Sequence, residues 1–264
     1  LIMTDDISFV LEEFSRKYLS PLQKERDAIS YRYEQLRALL PGSNIFQSGS
    51  YIRKTAVNPA HDLDVIWVMP EAVQSAIMKA YSNASIGGQL TYDVSQSLSE
   101  LANLLREQYR KIGVTVEITE QSHSVKIKIE KDTFSIDVVP AVKSGSLNSY
   151  GDDIFLVPEI QKIRHEKREE IYSLRKGQLH WILSDPKFYL KESEVLNINP
   201  CYRKAVKFIK VWRRACNAGL IDFELQSFHL EQIMAKIFSI NSDLNMCNAI
   251  ILFLKELPDW ISAP

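Results

Sequence analysis

The chain reads as an α+β protein, with strands confined to its first half and helices dominating the second. Three observations carry that reading. Val65, Ile66, Trp67 and Val68 are an unbroken β-branched and aromatic run, the composition of a strand buried on both faces. Residues 114–118, 125–129 and 134–138 alternate at the period of two that a pleated strand requires. From residue 202 onward apolar side chains recur every three or four positions, the period of a helix packed on one face.

In chain order, residues 5–40 are helical, with Ile7, Val10, Leu11 and Phe14 opening a stripe that Tyr18, Leu22, Ile29, Tyr33, Leu36 and Leu40 continue. Pro21 kinks or divides this run, and Pro41-Gly42 ends it. Residues 70–88 are ambiguous, with room for a short helix over 71–81. Over 91–112, Val94, Leu98, Leu101, Leu104, Leu105 and Tyr109 predict a strong amphipathic helix that Gly113 terminates. Of the strands that follow, the second carries Lys126 and Lys128 on one face, read as solvated. Residues 141–157 are rich in Ser, Gly, Asn and Asp and read as loop. The boundary therefore falls there, giving domains 3–157 and 158–264. Residues 159–176 form a highly charged helix; 202–218, 223–240 and 245–257 form the rest, with Ala205, Phe208, Ile209, Trp212 and Cys216 as one apolar stripe.

Composition narrows the class. A 264-residue chain with 45% hydrophobic and 25% charged residues has the makings of an ordinary soluble globular protein with one large or two small domains. Its formal net charge of -1 gives no global field to attract long nucleic acid. Cys201, Cys216 and Cys247 lack the spacing of a disulfide framework or a zinc ribbon. With no leader-like segment and no apolar run of about 20 residues, they point to a reducing cytoplasm and no membrane.

The chemistry concentrates between residues 46 and 69. Asp62 and Asp64 flank Leu63 at the mouth of the buried strand, so both carboxylates project to one side. Two such charges repel and are costly to desolvate, which a core tolerates when a cation lies between them. Mg²⁺ takes oxygen ligands and bridges to substrate phosphates. In 134–140, Phe134, Ile136 and Val138 share one face and Asp137 the other. If that strand pairs beside the first, three carboxylates converge, as two-metal phosphoryl transfer requires. Gly49-Ser50 supplies a backbone able to approach a phosphate. A lone Asp-x-Asp or Gly-Ser is common; their order and spacing are what is specific.

The segments GSYIRKTAV, HDLDVIWV and FSIDVVPAV, in that order, resemble the signature of Pol β-like nucleotidyltransferases. The nearest branch is the cGAS/DncV-like nucleotidyltransferases (CD-NTases), makers of cyclic oligonucleotide second messengers. The resemblance spans about residues 40–240 and implies a catalytic lobe with a mixed β-sheet, a helical C-terminal lobe and a long N-terminal helix bridging the two. Residues 180–187 resemble the stretch that links the lobes. It implies that Asp62, Asp64 and Asp137 hold two Mg²⁺ (or Mn²⁺) ions, with Asp137 completing the site that activates an acceptor 3′ or 2′ hydroxyl. Gly49 and Ser50 would grip the donor phosphates of nucleoside triphosphates bound in the cleft: ATP, with GTP, CTP or UTP as further candidates. Lys210 in AVKFIKVWRR and Ser227 in LQSFHLEQIM match the residues that hold the donor triphosphate, and Phe228 matches the aromatic that stacks on the donor base. Family members often carry Tyr at the position of Phe228, so any contact through a hydroxyl is absent here. By periodicity alone Lys210 would be a surface lysine and Phe228 a core aromatic. The family also implies bacterial anti-phage signalling and control by a protein partner. The near-neutral charge argues against strong duplex DNA binding. Alternatives are a nucleotidyltransferase acting on RNA, tRNA, a protein or a drug, and a non-catalytic nucleotide-binding module. His61 and His229 are not obliged to act, and His123, His165 and His180 have no ligand-like spacing.

Overall fold

The computed structural model of the chain describes residues 2–40, 42, 44–84, 94–160, 179–219 and 226–262. They divide into two compact units, each assembled from separated stretches. The sheet unit comprises Arg26–Gly49 and His61–Phe188; the helical unit comprises Leu1–Glu25, Ser50–Ala60 and Tyr189–Pro264. This differs from a division at residue 157: the strands run on to residue 184, and the 50–60 segment clusters with the C-terminal helices.

The N-terminal run is divided where Pro21 stands. Helix α1 (Ile2–Phe14) passes into one π-helical turn (Ser15–Leu19), and α2 (Gln23–Leu39) starts afresh. Pro21 has no amide proton to continue the ladder, and the Leu22 amide donates to Glu25 Oε2 at 2.7 Å, a local cap on the new helix. The run contributes to both units, changing over between Glu25 and Arg26.

In the sheet unit, β1 (Ile45–Ser48) lies antiparallel to β2 (Asp62–Val68), and β2 lies parallel to β5 (Ser135–Leu147). Beyond β5 come β4 (Val125–Ile129) and β3 (Val116–Glu120), both antiparallel, so the sheet is mixed. The far half of β5 turns to pair with β6 (Asp153–Ile160), which pairs with β7 (Leu179–Ser184). Residues 141–157, expected to be loop, are thus mostly a hairpin, with the turn at Asn148: its side-chain oxygen accepts from the Tyr150 and Asp152 amides. The turn itself occupies only residues 148–152, and the Ser- and Gly-containing residues before it belong to β5. The charged helix expected over 159–176 lies, from residue 161 onward and including His165, outside the described residues; Glu159 and Ile160 are strand.

Two helices follow the sequence pattern closely. Helix α4 (Glu71–Ala84) takes up the described part of the ambiguous stretch, whose residues 85–88 lie outside the described residues, and α5 (Val94–Lys111) buries Val94, Leu98, Leu101, Leu105 and Tyr109 against the sheet. The single turn α3 (Gly49–Ile52) joins β1 to the 50–60 segment. In the helical unit, α6 (Pro186–Leu196, its residues from Tyr189 on), α7 (Tyr202–Ala218), α8 (Ser227–Ile240) and α9 (Met246–Ser262) surround a core that includes Tyr202, Ile209, Leu230, Met234, Phe238 and Phe253. Helix α1 packs on α9, and Lys204 pairs with Glu12 at 2.6 Å. No described helix is long and apolar enough to cross a membrane.

Candidate active site

The parallel pairing of β2 with β5 sets Asp62 opposite Ser135, Leu63 opposite Ile136 and Asp64 opposite Asp137. Partners at one register of a parallel pair project from the same face of the sheet, so Asp64 and Asp137 lie side by side and Asp62 is two residues along. Leu63 and Ile136 turn to the other face and are fully buried, which anchors the register. Ser135 Oγ donates to Asp62 Oδ1 at 3.4 Å.

Asp137 is the least compensated member. Its Oδ1 is buried without a hydrogen-bond partner, and the nearest cation, Lys126 Nζ, stands 3.9 Å away. Burial pushes the Asp137 carboxyl up to about 6; Lys126 opposes the rise, and Asp64 and Asp62 add to it. Lys126 reaches it because β4 pairs with β5 at Lys126 opposite Asp137. Gly49, with φ +70°, completes the setting: a Cβ there would lie 1.7 Å from Asp64 Oδ2. Only glycine has both the left-handed backbone and the missing side chain this approach needs.

The residues fit a hard divalent cation. Their donors are all carboxylate oxygens, and one buried oxygen lacks a partner, a costly state that a bound cation would relieve. Among the described residues, no three His, Cys, Asp or Glu side chains are already gathered as a metal cage. The strands align the positions, and mutual repulsion gives the carboxylates no reason to close together unaided.

The remaining expected residues belong to the helical unit. Ser50 is half-buried, and its carbonyl accepts from the Thr55 and Ala56 amides at 2.9 and 3.0 Å. Lys210, a surface lysine by periodicity, is instead buried at 5% exposure and ion-paired with Glu231; burial pushes its ammonium down, with Glu231 opposing. Ser227, the first residue of α8, accepts a hydrogen bond from Arg213 Nη1 at 3.2 Å. Phe228, a core aromatic by periodicity, is half-buried, with the Tyr189 ring nearly perpendicular to it at 4.9 Å between centroids and the Arg53 guanidinium 5.6 Å from its centroid. His61, His123 and His229 are exposed.

Sequence pattern reads Lys126 as solvated, and singles out none of Arg53, Thr55, Arg213 and Glu231. A register argument pairing 125–129 with 134–138 would have set Lys126 beside Asp137. The contacts joining Arg53 and Thr55 to Glu231 and Lys210 span more than 150 residues of chain and left no local signal.

A mixed sheet with an Asp-x-Asp strand parallel to a lone-Asp strand, entered through Gly-Ser, defines a nucleotidyltransferase of the Pol β-like class. The chain matches the model of the Second Messenger Oligonucleotide or Dinucleotide Synthetase (SMODS) domain over residues 6–162 and belongs to that family, a branch of the cGAS/DncV-like nucleotidyltransferases. Solved structures agree on the fold. E. coli MS115-1 CdnC, in its complex with HORMA-deltaN, superposes with a TM-score of 0.64 at 18% identity, covering 93% of this chain and 69% of that one. The same protein with ATP gives 0.63 at 18% identity, covering 94% and 70%. The Elizabethkingia meningoseptica CdnE cyclic dinucleotide synthase with GTP and Apcpp gives 0.59 at 16% identity, covering 88% and 75%. No curated protein matches the chain in sequence.

Proposed function

We propose that the protein makes a cyclic di- or trinucleotide second messenger from nucleoside triphosphates, in bacterial anti-phage signalling in the cytoplasm. The observation that carries the reading is the β2–β5 register, which aligns Asp64 with Asp137 two residues from Asp62. Two ions, Mg²⁺ or Mn²⁺, would be held by Asp62, Asp64 and Asp137, and when bound they would supply activation of the acceptor hydroxyl and neutralisation of the leaving pyrophosphate. Gly49 lets the backbone come close to Asp64, and Ser50 follows it as a donor to phosphate oxygen. Ser227 and Phe228 contact the donor nucleotide, through a hydroxyl on phosphate and a ring face under the base.

ATP in one similar protein and GTP with an ATP analogue in another support nucleotide substrates, and the HORMA partner of CdnC supports control by a protein. The net charge of -1 supports indifference to duplex DNA, whose non-specific binding depends on Lys and Arg neutralising phosphates. The test is incubation with labelled ATP, GTP, CTP and UTP, singly and mixed, with Mg²⁺ or Mn²⁺, and resolution of phosphatase-resistant products. Cyclic products that vanish in Asp62→Asn/Asp64→Asn support the reading. Tailing of an added RNA, or label on a protein, would replace it with the corresponding transferase.

A further inference from the structure

A lysine ammonium has three N–H bonds, and each of Lys210's has a taker inside the helical unit. One goes to Glu231 Oε1, one to the Thr55 carbonyl at 3.2 Å and one to Thr55 Oγ1 at 3.5 Å. Glu231 is equally committed: Arg53 Nε donates to its Oε2 at 2.9 Å and Arg53 Nη2 to its Oε1 at 3.3 Å. The side chains of Arg53, Glu231 and Lys210 are 9%, 3% and 5% exposed. Buried ions persist only when paired and hydrogen-bonded, so these three stand or fall together.

The network ends on two of the expected donor contacts, Ser50 and Phe228. Thr55 Oγ1, which accepts from Lys210, donates to the Ser50 carbonyl at 3.3 Å. Between them Lys54 sits at φ +60°, a conformation that non-glycine residues rarely adopt and that surrounding anchors must hold. Ser193 Oγ fixes the same turn by donating to the Arg53 carbonyl at 3.3 Å. On its other side the Arg53 guanidinium lies over Phe228.

We infer that Arg53, Glu231 and Lys210 form a positioning triad for the donor nucleotide, with Lys210 acting through Thr55 on Ser50 and not by touching a phosphate. The inference rests on the reading of Ser50 and Phe228 as donor contacts. Its mildest probe is Thr55→Val, which keeps the side-chain shape, removes the hydroxyl and leaves no charge unpaired. The donor KM rises about fivefold while kcat stays within about twofold. Lys210→Met and Glu231→Gln each raise KM about tenfold, the double variant is no worse than either single, and the salt dependence of KM keeps its wild-type slope. Calorimetry with a non-hydrolysable ATP analogue follows the same pattern.

An unchanged KM in Thr55→Val overturns the inference, even if the charge variants fail to fold. So does a Lys210→Met loss that flattens the salt dependence while Glu231→Gln is silent, because that is the signature of a direct phosphate contact. Product formation with an unshifted KM removes the triad alone; a wild-type chain that neither binds the analogue nor makes product removes the proposed function with it.

Discussion

In the sheet unit, Asp137 keeps one buried oxygen without a hydrogen bond and its cation 3.9 Å away. In the helical unit, Glu231 has both oxygens bonded to buried cations. The first carboxylate is held above its ordinary value, with burial the largest cause; the second is held below it because Lys210 and Arg53 outweigh its burial. Both are acids in low-dielectric surroundings, yet one is left wanting a cation and the other is supplied with two. An under-compensated acid is suited to recruiting an ion, and a compensated one to fixing neighbours in place. On the proposed function, reaction would fall to the sheet unit and support to the helical unit.

The largest effect should come from crowding the under-compensated site. Gly49→Ala puts a methyl where Asp64 Oδ2 lies and forces alanine into φ +70°. Displacing a reacting group by about 1 Å can cost about a hundredfold in rate, so kcat/KM should fall at least that far, against a modest stability loss of about 1–2 kcal/mol for the backbone strain. Activity and denaturant unfolding measured together check it. Near-normal turnover would mean that Asp64 is free to move away and that its placement beside Gly49 is incidental.

Removing each acid should separate the two regions by sign. Glu231→Ala leaves Arg53 and Lys210 buried against each other and should cost about 3–5 kcal/mol. Asp137→Asn should act oppositely in metal-free protein above pH 6, because burial already disfavours the ionised form; removing a charge shifted from 3.8 to about 6 should stabilise by on the order of 2 kcal/mol. Urea titrations of both variants in chelator decide it. Destabilisation by Asp137→Asn comparable to that of Glu231→Ala would erase the contrast.

Much of the sheet unit was legible because its signals are local. A buried strand opened by Asp62-Leu63-Asp64, a clean alternation around Asp137 and an apolar stripe ending at Gly113 each follow from periods of two or 3.6. Even the convergence of the strands needed only the guess that 134–140 pairs beside 62–68. The support network was illegible for the converse reason. Lys210 occupies a helix position indistinguishable by pattern from a solvated one, and its burial depends on Glu231 and on Thr55 arriving from 155 positions earlier. The resemblance to nucleotidyltransferases implies a phosphate contact for Lys210; in the structure its N–H bonds go to Glu231 and Thr55. The 141–157 hairpin is not legible because Ser144-Gly145-Ser146 has turn-forming composition and no clean alternation, and the pairing with β6 shifts register between Lys143 and Leu147.

The smallest expected effect is the most diagnostic of the sheet site's electrostatics. Lys126 is the one described cation that holds the Asp137 carboxyl down, against burial and two neighbouring aspartates. It is about a third exposed, so solvent screens the pair and its worth is a fraction of what the distance alone suggests. Lys126→Met should therefore raise the Asp137 value further by a modest amount. The sign follows from which state holds the proton. Folded Asp137 keeps its proton to about pH 6 and unfolded Asp137 only to 3.8, so this residue lowers the stability of metal-free protein as pH climbs through that window. A metal ligand must be deprotonated, so metal-dependent activity should rise across the same window. In Lys126→Met the acid limb of the activity profile should move up by about half a pH unit, while the plateau above pH 8 stays within about threefold of wild type. Profiles at sub-saturating Mg²⁺, where proton and metal compete for the carboxylate, resolve a shift of that size. A limb that stays put would show that Lys126 faces solvent in the working enzyme; a collapsed plateau would show that it touches substrate.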